Sequence, residues 1–145
     1  MYGESMRYEQ IFLAAFGATV AYFAFGFVVF GWLPLLREEY AKYPAIYRGP
    51  EQIKRVMPFG MLAVFVSIII LTGLYALSFR GGNGFVQGAQ FGVLIGIFAL
   101  CAFVMHNHVN LNIGWRLTLL QAGAYLLEWT IVGIVIGCIY KTAAP

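Results

Sequence analysis

Four apolar stretches fill most of this chain, covering residues 11–36, 56–79, 85–105 and 115–140. Each holds at least the roughly 20 mostly apolar residues needed to cross a bilayer core about 30 Å thick. Because lipid cannot satisfy backbone N–H and C=O groups, these stretches are expected to form α-helices. The sequence therefore predicts one all-α transmembrane domain over residues 1–145. We expect a four-helix bundle in up-down-up-down order, with both termini on the same side of the membrane.

The composition is typical of a membrane protein, and it indicates which classes of partner to expect. Hydrophobic residues make up 61% of the chain and charged residues 10%, whereas a soluble domain carries about 25% charged residues. A net charge of +3 would suggest nucleic acid in a soluble protein. Here Lys and Arg flank the apolar stretches, where they orient the spans and contact lipid headgroups. We therefore expect membrane lipid as a partner, no nucleic acid, and no soluble substrate that the sequence identifies.

The longest polar segment, residues 37–55, separates the first two spans. It carries five basic and three acidic residues with Tyr40, Tyr43 and Tyr47 among them. Tyrosines at this depth are typical of the aromatic belt at a membrane surface. The segment is therefore predicted to be an interfacial loop. The second and third spans, by contrast, are joined by the glycine-rich residues 80–84, which predict a tight turn and a helical hairpin.

Five glycines recur at intervals of four residues in the last two spans. Gly88, Gly92 and Gly96 form two successive GxxxG units in the third span, and Gly133 and Gly137 form another in the fourth. This spacing lets helix backbones approach closely in lipid. The glycines are therefore predicted to be helix-packing residues. Their number exceeds what one small bundle needs, which favours contact with other integral membrane subunits.

A polar stripe runs along the fourth span. Thr118, Gln121, Tyr125 and Glu128 are spaced three, four and three residues apart, so they share one face of a helix. Glu128 lies near the middle of the span, where a charged carboxylate facing lipid would cost ~2.5 kcal/mol or more. We therefore expect Glu128 to face the bundle or a partner, and to be protonated.

Two interpretations of Glu128 remain open at this point. It is either a proton or cation site with Tyr125 and Gln121 as neighbours, or a neutral acid that joins helices. In the second case the carboxyl would hydrogen-bond across the bundle, for example to Thr72 or Ser67.

Two histidines, His106 and His108, follow the third span in a polar turn. They are the only histidines in the chain and lie two residues apart, so they do not share a face of a helix. No metal site and no cofactor of the protein's own is expected. A ligand site completed by a partner subunit stays open, as does contact with lipid, quinone, haem or pigment that a partner holds. Since no catalytic or nucleotide-binding motif occurs either, the protein is predicted not to be an enzyme.

Three segments resemble a loose family of small four-span bacterial membrane proteins with no assigned activity. They are ATVAYFAFGFVVFGW at residues 18–32, ALSFRGGNGFVQGAQFGVLIGIF at residues 76–98 and EWTIVGIVIGCIYK at residues 128–141. The resemblance implies the fold and a multi-pass location in the bacterial inner membrane. It implies no reaction.

These observations favour a non-enzymatic accessory subunit that packs within a larger membrane complex, with respiratory or photosynthetic complexes as plausible hosts. One alternative is a small oligomeric proton- or solute-coupled transporter centred on Glu128. Another is a cofactor-binding subunit that uses His106 or His108 together with a partner.

Overall fold

The computed structural model describes residues 8–79 and 81–140, and helices account for most of this part of the chain. No strand occurs among the described residues. The α-helices are α1 Tyr8–Gly26, α2 Pro34–Ala41, α3 Pro50–Ser78, α4 Gly84–Ala99, α5 His106–Asn110 and α6 Trp115–Ile139. Two π-helical segments, Phe27–Trp32 and Leu100–Met105, continue α1 and α4 without a break.

Four helical stretches are long and apolar enough to cross a membrane: Tyr8–Trp32, Pro50–Ser78, Gly84–Asn110 and Trp115–Ile139. The predicted all-α fold is therefore confirmed, with four helical stretches that could span a membrane. The up-down-up-down order and the shared side of the termini stay predictions, since residues 1–7 and 141–145 lie outside the described part.

The helix bounds differ from the predicted spans where prolines intervene. The first helical stretch ends at Trp32, and Leu33 is extended with ψ 123°, because a following proline disfavours helical backbone. Pro34 then begins the separate helix α2, at a position where its missing N–H costs nothing. The polar segment 37–55 is thus partly helical, and α3 starts at Pro50, six residues before the predicted span.

The third helical stretch also runs past its predicted end. It continues through the π-helical segment and α5 to Asn110, so both histidines lie on helix rather than in a turn. The predicted turn between α3 and α4 does occur. Gly81 and Gly82 take φ values of +80° and +96°, which favour glycine. The Asn83 side chain then caps α4 by accepting hydrogen bonds from two backbone N–H groups.

Helix α6 is the centre of the packing. It contacts α4 along one side and α1 along another, while α3 packs mainly on α1. The core at one end brings the α1 alanines Ala14, Ala15 and Ala18 against Ile68 of α3 and Ile136 of α6. Small side chains allow this close approach, which matters in lipid because helices there associate through van der Waals contact.

The first half of α3 stands apart from the other helices. Every residue from 50 to 63 is exposed, and the buried residues of this helix, Ile68, Thr72 and Tyr75, all belong to its second half. The apolar surface of the first half is therefore covered by nothing in the described part of the chain.

Candidate intramembrane carboxyl site

The polar stripe of α6 points into the protein. Thr118, Gln121 and Glu128 are buried, and Tyr125 is half-buried. Glu128 faces the end of α1, Gln121 faces α2 and the loop that follows it, and Thr118 faces His108 of α5. The shared face that the spacing predicted is thus turned away from lipid.

Glu128 lies near the midpoint of α6 and is 2% exposed. Its Oε2 atom has no hydrogen-bond partner among the described residues. Gly26, the last residue of α1, lies directly opposite: a Cβ at that position would approach Oε1 to 3.2 Å. The missing side chain of Gly26 therefore makes the room in which the carboxyl sits.

Aromatic side chains surround this carboxyl. The hydroxyl groups of Tyr22 and Tyr125 are near enough to Glu128 to interact with it electrostatically. The Tyr22 ring packs on Trp129 with centroids 5.5 Å apart, and Phe30 packs on Tyr125 at 5.8 Å. No Lys or Arg among the described residues forms an ion pair with Glu128. A buried polar atom without a partner is costly, so its presence calls for an explanation.

The hydrogen bonds suggested for Glu128 across the bundle are not formed. The Thr72 hydroxyl donates to the carbonyl of Ile68, and the Ser67 hydroxyl donates to that of Ala63. Both hydroxyls thus bond one turn back on their own helix, a common arrangement for Ser and Thr. The hypothesis that Glu128 joins helices through these two residues is wrong.

Residues 34–49, which we call the interfacial strap, cross the beginning of α6. The Gln121 side-chain amide donates to the hydroxyl oxygens of Tyr40 and Tyr47 over 2.8 and 3.3 Å. The backbone N–H of Gly114 donates to the Tyr43 hydroxyl over 2.9 Å. All three tyrosines predicted as an aromatic belt are therefore bonded to α6 or to the residue before it.

The contact with α6 changes the pKa of the Tyr40 hydroxyl. Burial raises the pKa of its hydroxyl above the usual value, and the hydrogen bond from Gln121 opposes this rise. The groups of Tyr125, Tyr47 and Glu128 add further to the raised pKa of Tyr40 through Coulombic interaction. Tyr40 is therefore a neutral phenol at physiological pH, and it lies within electrostatic range of the buried carboxyl.

An ion cluster fastens the strap at the surface. Glu39 is buried, and its Oε1 accepts from Lys42 Nζ at 2.5 Å and from Arg116 Nε at 3.1 Å. Both cationic side chains are more than half exposed, so they remain hydrated while neutralising the carboxylate. Arg116 thus ties the first turn of α6 to α2.

The two histidines lie in different surroundings. His108 Nδ1 is hydrogen-bonded to Thr118 Oγ1 over 2.8 Å, and its ring packs on Trp115. His106 is exposed. No group of three His, Cys, Asp or Glu in the described part of the chain could hold a metal ion. A site completed by a partner stays a prediction.

A model of a protein family, described as "Protein of unknown function (DUF1761)", matches residues 13–137. The chain belongs to the DUF1761 family. No curated protein and no solved structure matches it. The match spans Gly26, the interfacial strap and the stripe of α6, so the whole candidate site belongs to the family region. The expected membership in an uncharacterised family is confirmed, whereas the bacterial origin stays a prediction.

In this DUF1761 protein the glycines of α4 lie against those of α6. A Cβ at Gly92 would lie 2.5 Å from the carbonyl oxygen of Trp129, and one at Gly96 would lie 2.9 Å from Leu126 Cδ1. A Cβ at Gly137 would lie 2.9 Å from the Cα of Gly88, and one at Gly133 would lie 2.5 Å from that of Gly92. These glycines therefore form helix contacts within the chain, so their number is no longer a reason to expect a partner subunit.

Sequence reasoning missed four features of the DUF1761 site. These are the role of Gly26, the π-helical segment after it, the burial of Glu39 and the bonding of the strap to Gln121. One signal was available in the spacing of the strap tyrosines. Tyr40, Tyr43 and Tyr47 lie three and four residues apart, which would place them on one face of a helical turn.

Proposed function

We propose that this protein is a proton-coupled membrane transporter in which Glu128 binds and releases the proton. The observation that carries the proposal is the carboxyl near the midpoint of an apolar helix, which is 2% exposed and has one oxygen without a hydrogen-bond partner among the described residues. Ionisable groups inside membrane spans are rare, and they commonly mark ion pathways and proton relays.

The surroundings of Glu128 favour a proton over a metal cation. Calcium takes six to eight oxygen ligands, and magnesium demands an octahedral shell. The neighbours of Glu128 are Gly26, aromatic rings and tyrosine hydroxyls. A single carboxyl with phenolic neighbours meets neither requirement, whereas a proton needs only one oxygen.

Proton exchange at this site also offers a means of coupling. A protonated carboxyl is tolerated between α1 and α6, while a charged one would be strongly disfavoured without a counter-ion. The protonation state of Glu128 would therefore favour one arrangement of these helices over another, which is what a coupled transporter requires. Because four spans are few to enclose a solute path, the proposal includes assembly of two or more copies, in the bacterial inner membrane.

The test is proton movement into proteoliposomes that contain trapped pyranine, under an imposed pH gradient, alone and with a panel of small solutes. We expect Glu128→Gln to reduce proton movement to the level of empty liposomes, since an amide cannot release a proton. Glu38→Gln is the matched control, because Glu38 is an exposed carboxylate on α2.

Both variants should keep the helical circular dichroism and the elution volume of the wild type. Unchanged proton movement in a folded Glu128→Gln protein would refute the proposal. So would a wild-type protein that moves no protons under any of these conditions.

A second candidate function is an accessory subunit of a larger membrane complex. Its support is the first half of α3, where exposed side chains such as Phe59 and Leu62 lie on a helix that no described residue covers. Stoichiometric co-purification with other integral membrane proteins in mild detergent would establish it.

A further inference from the structure

We infer that the interfacial strap, residues 34–49, is the gate of the Glu128 site, and that its release from α6 lets protons reach the carboxyl from the strap side of the membrane. This inference rests on the proposed function, because it assigns the route to the same carboxyl. Four features support it: the bonds of the strap, the polar groups beneath it, the apolar packing beyond Glu128 and the ends of the strap.

Three neutral hydrogen bonds, the ion pair of Glu39 with Arg116 and a small apolar cluster around Leu36 hold the strap on α6. Tyr40 and Tyr47 accept from the Gln121 amide, and Tyr43 accepts from the Gly114 N–H. Each is a neutral hydrogen bond, whose net contribution to stability is small because water can replace either partner. Arg116 is exposed to water, which weakens its ion pair with Glu39, and the contact of α2 with α6 is much smaller than that of α1 or α4 with α6. The strap is therefore expected to open locally more readily than α1 or α4 separates from α6.

A row of polar groups leads inward from the strap. Gln121 is seven residues before Glu128, or about 10 Å along the helix, and Tyr125 lies between them on the same face. Tyr40 is within electrostatic range of both Tyr125 and Glu128. While the strap is bonded, Gln121 is only 7% exposed. Opening the strap would admit water to Gln121 and Tyr125, next to the carboxyl.

The opposite direction along α6 offers no such route among the described residues. Beyond Glu128 the buried residues of α6 are Val132, Gly133, Ile136 and Gly137. They pack against the alanines of α1, Ile68 of α3 and the glycines of α4. Close contact between apolar groups leaves no polar path there, so access from the strap side is favoured.

The ends of the strap are suited to movement. Leu33 on one side is extended, with ψ 123°, and so is Gly49 on the other, with ψ 166°. No atom of a described residue lies within 4 Å of a Cβ built at Gly49. Leu33, just before the strap, and Gly49, its last residue, are thus non-helical, and backbone rotation at such residues is how hinges work.

The experiment follows hydrogen–deuterium exchange of the Glu128 carboxyl by infrared spectroscopy of the full chain in liposomes. A protonated carboxyl has a C=O stretching band that shifts on deuteration, and Glu128→Gln identifies which band belongs to Glu128. We expect Tyr43→Phe, which removes the oxygen that binds Gly114, to speed this exchange about tenfold, the effect of losing one ordinary hydrogen bond. Tyr40→Phe combined with Tyr47→Phe should speed it further.

Tyr8→Phe is the matched control, since Tyr8 is a highly exposed tyrosine at the start of α1, and its exchange rate should equal that of the wild type. An unchanged rate in both strap variants would overturn the gate, as would wild-type exchange that is already complete at the first time point.

The gate and the transport function can be refuted independently of each other. If the strap variants leave exchange unchanged while Glu128→Gln abolishes proton movement, the gate is wrong and the transport function stands. If exchange accelerates while Glu128→Gln moves protons normally, the strap does control access, but the carboxyl is not the transport site.

Discussion

Gly92 illustrates, at the scale of a single residue, how a missing side chain shapes this protein. Its backbone lies so close to α6 that an added Cβ would come within 2.5 Å of the Trp129 carbonyl oxygen and 2.8 Å of the Thr130 Cα. Those are backbone atoms, which cannot move aside as the end of a flexible side chain can. Gly26 leaves room in the same way for the Glu128 carboxyl, so two glycines serve different purposes: one for packing, the other for the site.

We therefore expect Gly92→Ala to lower the free energy of unfolding by about 1–3 kcal/mol, the usual cost of overpacking. Gly73→Ala is the matched control in α3, since none of the residues that the structure describes comes within 4 Å of its Cβ position. It should be neutral or stabilising by up to ~1 kcal/mol, because alanine favours a helix more than glycine does. Thermal and denaturant unfolding in detergent measure both variants. Equal stabilities would mean that α4 and α6 are not in such close contact.

At the scale of an element, the π-helical segment Phe27–Trp32 determines where the strap lies. A π-helical turn holds more residues than an α-helical one, and such segments are frequent at functional sites. This segment begins directly after Gly26, which lies beside Glu128. It ends at Trp32, and the extended Leu33 then leads into α2. The π-helical segment thus determines the direction in which the chain enters the interfacial strap. It thereby determines where Glu39 and Tyr40 lie over α6.

Deletion of Gly31 should displace the strap. Removing one residue rotates the next part of the chain by somewhat less than the roughly 100° of an α-helix, since a π-helical turn holds more than 3.6 residues, and this would turn Glu39 away from Arg116. We expect faster trypsin cleavage at Lys42 and Arg48, because proteolysis requires local opening. Gly31→Ala is the control, as an added Cβ there would meet Phe27 at an ordinary van der Waals distance of 3.6 Å. Equal cleavage rates in the two variants would contradict this role for the π-helical segment.

At the scale of the whole molecule, the packing is uneven. Helices α1 and α4 each pack closely on α6, while the first half of α3 is exposed throughout. Either lipid, another copy of this chain or a different subunit covers that half in the membrane. The candidate site is the same in each case, because Glu128 is already buried between α1 and α6 of one chain.

The transport proposal predicts that the chain, extracted from native membranes in mild detergent, migrates on native electrophoresis as a small band of a few copies. Mass spectrometry of that band should find this chain without stoichiometric partners. A large band with partners in fixed ratio would instead establish the accessory subunit, and the partners would identify its process.

Part of the structure of this protein could be predicted from local sequence patterns alone. Lipid leaves a long apolar stretch little choice but to form a helix, so four spans follow from composition and length. The helical period similarly placed Thr118, Gln121, Tyr125 and Glu128 on one face, and the turn at Gly81 and Gly82 follows from the conformations that glycine permits. Each of these inferences concerns residues that are neighbours in the chain or one helical turn apart.

The contacts of the candidate site could be recognised only in the tertiary structure, because they join residues that are far apart in the sequence. Tyr40 and Gln121 are 81 residues apart, and Tyr43 and Gly114 are 71 apart. No local pattern indicates that Gly26 makes room for Glu128, or that Thr72 bonds to its own helix rather than to that carboxyl. Hydrogen-bond partners and burial depend on how helices are placed against one another. The sequence therefore determined the spans and the polar face, and only the tertiary structure decided what that face meets.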